Sequence, residues 1–369
     1  MKLIAVQVAR LLAALLGVYA LLLLVCLVLV PLGSGGNRLD TARAGSTLFI
    51  TEPKYAFMAR SQLNTTTDKV ILLGASNVLV GLRQDQIQPH VPQLEVHSLA
   101  VSGSNITQVG QVVDLVREVQ SPAARAHTSY VIGLWYGLFA EDRARWHTPD
   151  RVAGDTDIDI ERYRYGFYRR TPNGPVPLLP PRYLQAGTAL VHPYLVLDRA
   201  TRDVTKSMRS FISGKSAPTT DEERNAIVLS KAQQDQYLSF WHDYMGSTDE
   251  LKEAQFQTLR RIVDQIVSAG GEVVLVDLPL PAWHSQRSPL WRSYASHMEP
   301  TLADLQKRPG VVVVRMGDDN RDDDFGDEVH PKPRVAPRWA ARLAKTLNAE
   351  GDARQANFAR DSVSGLHVE

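Results

Sequence analysis

Cysteine is nearly missing from this chain: Cys26 is the single one, inside an apolar run near the N-terminus. One cysteine excludes an intramolecular disulfide and a multi-cysteine zinc centre. With Val25 before it and Leu27 after it, the position does not look like a lipoprotein cleavage site; a small apolar residue in a membrane helix is the plainer reading. An excess of either charge is missing too, since 41 Lys and Arg face 40 Asp and Glu, a formal net charge of +1. A nucleic-acid-binding face needs a basic surplus, so no nucleic-acid partner is expected. Glycine-rich phosphate loops of the P-loop or dinucleotide type are absent. There is no convincing internal repeat, and no cofactor or resident metal is implied. Long apolar runs are also lacking, with one exception.

That exception covers residues 11–32, rich in Leu, Val and Ala and free of charge. About 20 such residues cross the hydrocarbon core as a helix. A cleaved signal peptide is the competing reading, but its apolar region runs to about 7–15 residues, so a retained signal anchor is expected. Lys2 and Arg10 precede the run and place residues 1–10 in the cytoplasm by the positive-inside tendency; Arg38 and Arg43 beyond it weaken that assignment without reversing it. The expectation is a single-pass protein of the inner (plasma) membrane whose remaining chain is periplasmic or extracellular. Residues 33–69 read as a tether and lead-in, opening with Gly33-Ser34-Gly35-Gly36-Asn37. A globular domain at 70–347 and a polar tail at 348–369 follow.

Within 70–347, short apolar runs alternate with helical periodicity. Residues 70–73, 94–100, 130–134, 273–276 and 311–314 read as buried strands. Ile106, Val109, Val112, Val113 and Val116 mark a helix face with Ser104 or Asn105 as its N-cap. Leu259, Ile262, Val263, Ile266 and Val267 mark another, stopping at Gly270-Gly271. A last helix starts near Pro333 and carries Trp339, Leu343, Ala344 and Leu347 on one side. Strand and helix in alternation give the fold class: α/β, a parallel central sheet with helices on both faces. Ligands bind such sheets at the carboxyl ends of the strands. Residues 146–250, rich in Pro, Arg and Tyr before turning polar, interrupt the rhythm and read as an insertion forming a cap over the site.

Ser76 stands in Leu73-Gly74-Ala75-Ser76-Asn77, at the turn after the first strand. Serine there is either a helix cap or a nucleophile at the carboxyl edge of the sheet, beside backbone N–H groups suited to a developing oxyanion. Asp327-Glu328-Val329-His330-Pro331 lies after the last strand, and an aspartate three residues before a histidine can orient the imidazole so that its other nitrogen takes a proton from a nucleophile. The acidic stretch 318–324 could bind calcium through oxygen ligands, but it lacks the glycine and terminal glutamate of an EF-hand loop, and a solvated acidic loop is the preferred reading. Trp135, Tyr136, His284, Tyr165 and Arg169 are candidate substrate-binding residues. His284 also reads as structural, and the Tyr and Arg cluster at 163–170 also reads as a packing surface.

With these residues in place, the chain resembles the SGNH (GDSL-type) hydrolase superfamily, over about 70–350 apart from the insertion. That family carries its serine after the first strand and an Asp-x-x-His pair near the C-terminus. Val101-Ser102-Gly103-Ser104 is similar to its second block, whose glycine N–H helps form the oxyanion hole. The resemblance implies a three-layer sandwich like that of flavodoxin, Ser76 as nucleophile, His330 as base and acid, Asp327 as its orienter, and Ser76 and Gly103 as oxyanion donors. The family's third block, Gly-x-Asn-Asp, is replaced here by Leu134-Trp135-Tyr136-Gly137-Leu138, without Asn. Asn77 or Asn105 could substitute, or backbone groups could serve alone. Anchored members include exopolysaccharide O-acetyltransferases and the D-alanyl transfer protein of teichoic acid modification. Their resemblance implies O-acyl transfer to, or removal from, a cell-surface polysaccharide, with a membrane-bound acyl donor protein as a candidate partner. A simple carboxylesterase or lipase, and a non-catalytic scaffold of a polysaccharide modification or export complex, are the alternatives.

Overall fold

The computed structural model describes residues 2–29, 63–141 and 220–349, with 159–160, 162–163, 167–180 and the single positions 183, 190, 193, 197, 201 and 208. The chain divides into two compact units, Met1–Thr65 with Thr148–Ala217 and Thr66–His147 with Pro218–Glu369.

Helix α1 (Lys2–Leu29) belongs to the first unit. Its segment Lys2–Val28 contains an 18-residue stretch with a mean hydropathy of 2.9 and is long and apolar enough to cross a membrane. The helix begins ahead of the apolar run at residue 11, because nothing in residues 2–10 breaks a helix. The expected tether from 33 to 62 and the tail from 350 onward lie outside the described residues.

The second unit carries the α/β architecture. In chain order it contains β1 (Lys69–Leu73), α2 (Ser76–Gly81), α3 (Gln84–Ile87), β2 (Glu95–Ser98), α4 (Ile106–Val119), α5 (Pro122–Ala126) and β3 (Thr128–Leu134). After β4 (Tyr168–Thr171) and β5 (Gly174–Pro177), an antiparallel hairpin of the first unit, it continues with α6 (Asp221–Asn225), α7 (Lys231–Tyr244), α8 (Glu253–Val267), β6 (Glu272–Asp277), α9 (Ala282–Arg287), α10 (Pro289–Leu305), β7 (Val311–Arg315) and α11 (residues 336–349).

The five strands of this unit form one parallel sheet in the order β2-β1-β3-β6-β7. Val70, Leu72, Val131, Val274 and Val276 pack into one cluster with Val78 of α2, Leu82 just after it, and Trp339 and Leu343 of α11. The alternating Ile71, Ile132 and Leu275 point the other way and are equally buried, so both faces are covered, as a parallel sheet requires. The chain moves outward from β1 to β2 and then crosses to β3 on the other side. The β1/β3 pair is therefore the topological switch point, where crevices open at the carboxyl ends.

Strand boundaries differ from the sequence expectation in both directions: β1, β3, β6 and β7 each gain end residues, whereas β2 is Glu95–Ser98, shorter than the expected 94–100. Lys69, Thr128 and Glu272 join their strands although they are polar, because ladder pairing uses backbone groups and their side chains find partners, as Lys69 Nζ does at 2.6 Å from the Thr67 carbonyl. The expected insertion at 146–250 is divided: its polar helical end, α6 and α7, falls in the α/β unit, whereas 148–217 falls in the other.

Candidate active site

Two glycines bring α2 down onto the sheet. Gly74 has φ +139, and a Cβ there would stand 2.5 Å from Val78 Cγ2 and 3.0 Å from the Gly133 carbonyl; one at Gly133 would meet Val78 Cγ2 at 2.3 Å. Val78 fills the space both glycines leave, so the helix begins almost at the end of β1. Ala75 is its N-cap, in extended conformation, and no side chain caps the helix. Ser76 is thus the first helical residue, and its hydroxyl does not serve the cap that serine would ordinarily provide.

That hydroxyl lies 2.7 Å from His330 Nε2. On the other side of the ring, Nδ1 lies 2.7 Å from Asp327 Oδ2. A carboxylate only accepts, so Nδ1 carries the proton and Nε2 accepts from Ser76. Asp327 Oδ1 accepts from the backbone N–H of Val329 (3.0 Å) and of His330 (2.7 Å). Burial would raise the Asp327 carboxyl, but the hydrogen bond and charge of His330 and these two N–H groups hold it below its ordinary range. Burial would lower the His330 imidazole, but the hydrogen bond and charge of Asp327, with Glu328 adding to them, set it above its ordinary value. Both side chains remain about 30% exposed, at 30% for His330 and 29% for Asp327, so a ligand can reach them.

The second block is tied to the first. The Gly74 carbonyl accepts from Val101 N–H and from Ser104 Oγ, each at 2.9 Å. Ser104 N–H closes a turn onto the Val101 carbonyl, with Gly103 at φ +67. The N–H groups of Ser76 and Gly103 donate no hydrogen bond among the described residues. Asn77 is buried, and its Nδ2 has no partner among the described residues. Asn105 differs: its Oδ1 accepts from Gln108 N–H at 3.1 Å as the N-cap of α4, and its Nδ2 donates to the Ala140 carbonyl at 3.0 Å. Asn77 Oδ1 accepts from the Val78 N–H at 3.0 Å, so what Asn77 leaves uncommitted among the described residues is its amide N–H₂.

The aromatic candidates lie inside rather than along a cleft. Trp135 is 3% exposed and Tyr136 and His284 are 0% exposed, because all three pack into one aromatic cluster with Trp241 of α7. At the third-block position the Trp135 ring covers Gly137, where an added Cβ would stand 2.4 Å from it, and its indole N–H has no partner among the described residues. Arg169 is exposed on β4 of the other unit, and Tyr165 lies outside the described residues; beside them, the Arg170 guanidinium stacks over the Tyr163 ring at 4.7 Å.

The acidic stretch is paired rather than merely solvated. Asp318 and Asp319 contact Arg342, Asp319 and Asp324 contact Arg338, and Asp323 contacts Lys332 and Arg334. These pairs fasten α11 and the segment before it to the stretch, and Asp322 Oδ1 accepts from the Trp283 N–H at 3.0 Å. Among the described residues no group of three or more His, Cys, Asp or Glu is arranged to hold a metal ion.

Glu328 and Trp241 were not singled out in the sequence. Trp241 Nε1 donates to Glu328 Oε1 at 3.1 Å, and burial, then the charge of Asp327, pushes the Glu328 carboxyl up. A glutamate inside an Asp-x-x-His segment signals nothing alone, and Trp241 sits in a polar helix without apolar periodicity. A scan of protein-family models finds no match to this chain, and a search of curated proteins finds none.

Proposed function

We propose that this chain is a membrane-anchored serine acyl enzyme of the SGNH (GDSL-type) superfamily, moving an O-acyl group, acetyl being the simplest, to or from a cell-surface polysaccharide. The observation that carries this reading is the relay from Ser76 Oγ through His330 to Asp327, with both links at 2.7 Å. The order of the sequence blocks supports the superfamily. Helix α1 supports the anchor, with the N-terminus cytoplasmic and the α/β unit in the periplasm or outside.

In this mechanism Ser76 Oγ attacks the acyl carbonyl while His330 Nε2 takes its proton. The oxyanion is received by the N–H groups of Ser76 and Gly103 and by the Asn77 amide. His330 returns the proton to the leaving alkoxide, and the acyl group stays on Ser76. A second hydroxyl, of a sugar or of water, gives its proton to His330 and attacks the acyl-serine; Ser76 then recovers a proton. Asp327 fixes the ring and balances the imidazolium charge. Transfer and hydrolysis differ only in the second hydroxyl.

A fluorophosphonate probe applied to the full-length protein in detergent should label Ser76, and Ser76→Ala should lose both labelling and turnover of acetyl esters. Undiminished turnover by Ser76→Ala would overturn the reading. Folded wild-type protein that resists the probe would favour a non-catalytic scaffold, for which the third block filled by Trp135 and Tyr136 speaks. Incubation with an acyl donor and an oligosaccharide separates the chemistries: acylated sugar marks transfer, and free acid alone marks a carboxylesterase.

A further inference from the structure

Behind the Ser76–His330–Asp327 relay stands a second histidine that the mechanism above does not use. His284, on α9, is 0% exposed, and its Nδ1 lies 2.8 Å from the Glu328 carbonyl oxygen. A carbonyl only accepts, so Nδ1 carries the proton. In a neutral ring Nε2 must then accept, and the Tyr136 hydroxyl stands 2.7 Å from it. Burial, the largest influence on this ring, keeps it neutral by lowering its pKa to about 4. The groups that face it are Tyr136, Trp283, Glu328, Asp327 and Arg287.

The Glu328 carbonyl and the Val329 N–H are the two ends of one peptide plane. His284 grips the oxygen end, and the nitrogen end donates to Asp327 Oδ1 at 3.0 Å. Rotation of that plane would remove one of the two N–H donors that hold Asp327 Oδ1, leaving the His330 N–H alone, and would loosen the oxygen that faces His330. From this shared peptide we infer that His284, fixed in one tautomer by the Glu328 carbonyl and steadied by the Tyr136 hydroxyl, is a positioning residue that sets the Asp327–His330 pair. The inference rests on the serine acyl reading for its effect on rate, but its geometric part can be tested without turnover.

The test compares His284→Leu, which fills space without a donor, with His284→Asn, whose amide N–H₂ falls near Nδ1, and with Tyr136→Phe. All are measured in the full-length protein at matched thermal midpoints. Fluorophosphonate labelling of Ser76 should slow about 10- to 100-fold in His284→Leu, the scale typical of groups that orient a working histidine. For acetyl ester turnover, kcat should fall with KM unchanged. The acid limb of the labelling rate should move to lower pH, because the bond that raises His330 is loosened. His284→Asn should recover most of the rate, and Tyr136→Phe should fall between. In NMR spectra the downfield His330 Nδ1 proton should broaden or shift upfield in His284→Leu and return in His284→Asn.

A folded His284→Leu with wild-type rate, acid limb and Nδ1 signal would overturn the inference. Equal damage in His284→Leu and His284→Asn would also overturn it, showing a packing role only. Failure of the wild type to react with the probe would instead refute the serine acyl reading, and the Nδ1 comparison would still decide the positioning role.

Discussion

Asp327 gathers more bonds than any other group of the relay, and its removal has a defined signature. His330 must be neutral to accept the Ser76 proton, and its pKa is raised, so reaction at Ser76 should fall as pH drops through a midpoint above the ordinary 6.5. In Asp327→Asn only burial and Glu328 remain to act, and that limb should move downward while kcat drops on the order of 10⁴-fold. A pH–rate profile of probe labelling measures both effects. Stability carries a second residue-scale signature. His284 is depressed to about 4 in the folded chain, so between 6.5 and about 4 the unfolded state binds the extra proton. Folding stability therefore declines as pH falls through that window, by about 3 kcal/mol from this group. The raised pKa of His330 acts oppositely, adding stability that is complete below 6.5 and lost as pH rises through its folded value. Urea titrations at stepped pH should show a shallower acid decline in His284→Asn, which keeps the donor but no longer titrates.

Among the elements, the turn from β1 into α2 determines whether a nucleophile is presented at all. Gly74→Ala would place a methyl 2.5 Å from Val78 Cγ2 in a backbone conformation that L side chains rarely adopt. It should destabilise the α/β unit by about 1–3 kcal/mol and displace Ser76 from His330, read as lost probe labelling in protein that still folds. Asn105→Ala should cost about 1 kcal/mol through loss of the α4 N-cap, measured by denaturant titration. Labelling of Ser76 should persist there, because the Asn105 amide is committed to Gln108 and Ala140. Helix α11 is fastened on two sides, by Trp339 and Leu343 in the core and by Arg338 and Arg342 on the acidic stretch, which explains why that stretch is so rich in aspartate.

At the level of the whole molecule, every member of the relay lies in the unit made of Thr66–His147 and Pro218–Glu369, while the membrane-length helix belongs to the other unit. Removing residues 1–32 should therefore transfer the protein from the detergent-extracted fraction to the soluble one, with Ser76 still reactive to the probe. Fractionation followed by labelling checks this. The apolar helix, the five strands and the alternation that makes a parallel sheet were all legible along the chain, because burial on both faces writes β-branched runs such as 273–276 and 311–314 directly into the sequence. Ser76 was legible as a candidate because it follows the end of a strand, and Asp327 and His330 because an aspartate stands three residues before a histidine ahead of the last helix. What the chain could not display is convergence across long separations: Ser76 and His330 stand 254 residues apart in sequence yet 2.7 Å apart in space. That proximity is set by strand order and by two glycines that let Val78 sit on the sheet. The same limit explains Trp135 and Tyr136, candidate substrate-binding residues that pack inside, and leaves His284 with its structural reading, since an aromatic side chain carries no sequence mark of the face it will meet. Local hydrophobic periodicity fixed the elements and the candidates; the crossover at β1/β3 and the buried contacts around Glu328 decided which of them meet, because hydrogen bonds between distant residues form only once the sheet has aligned its carboxyl ends.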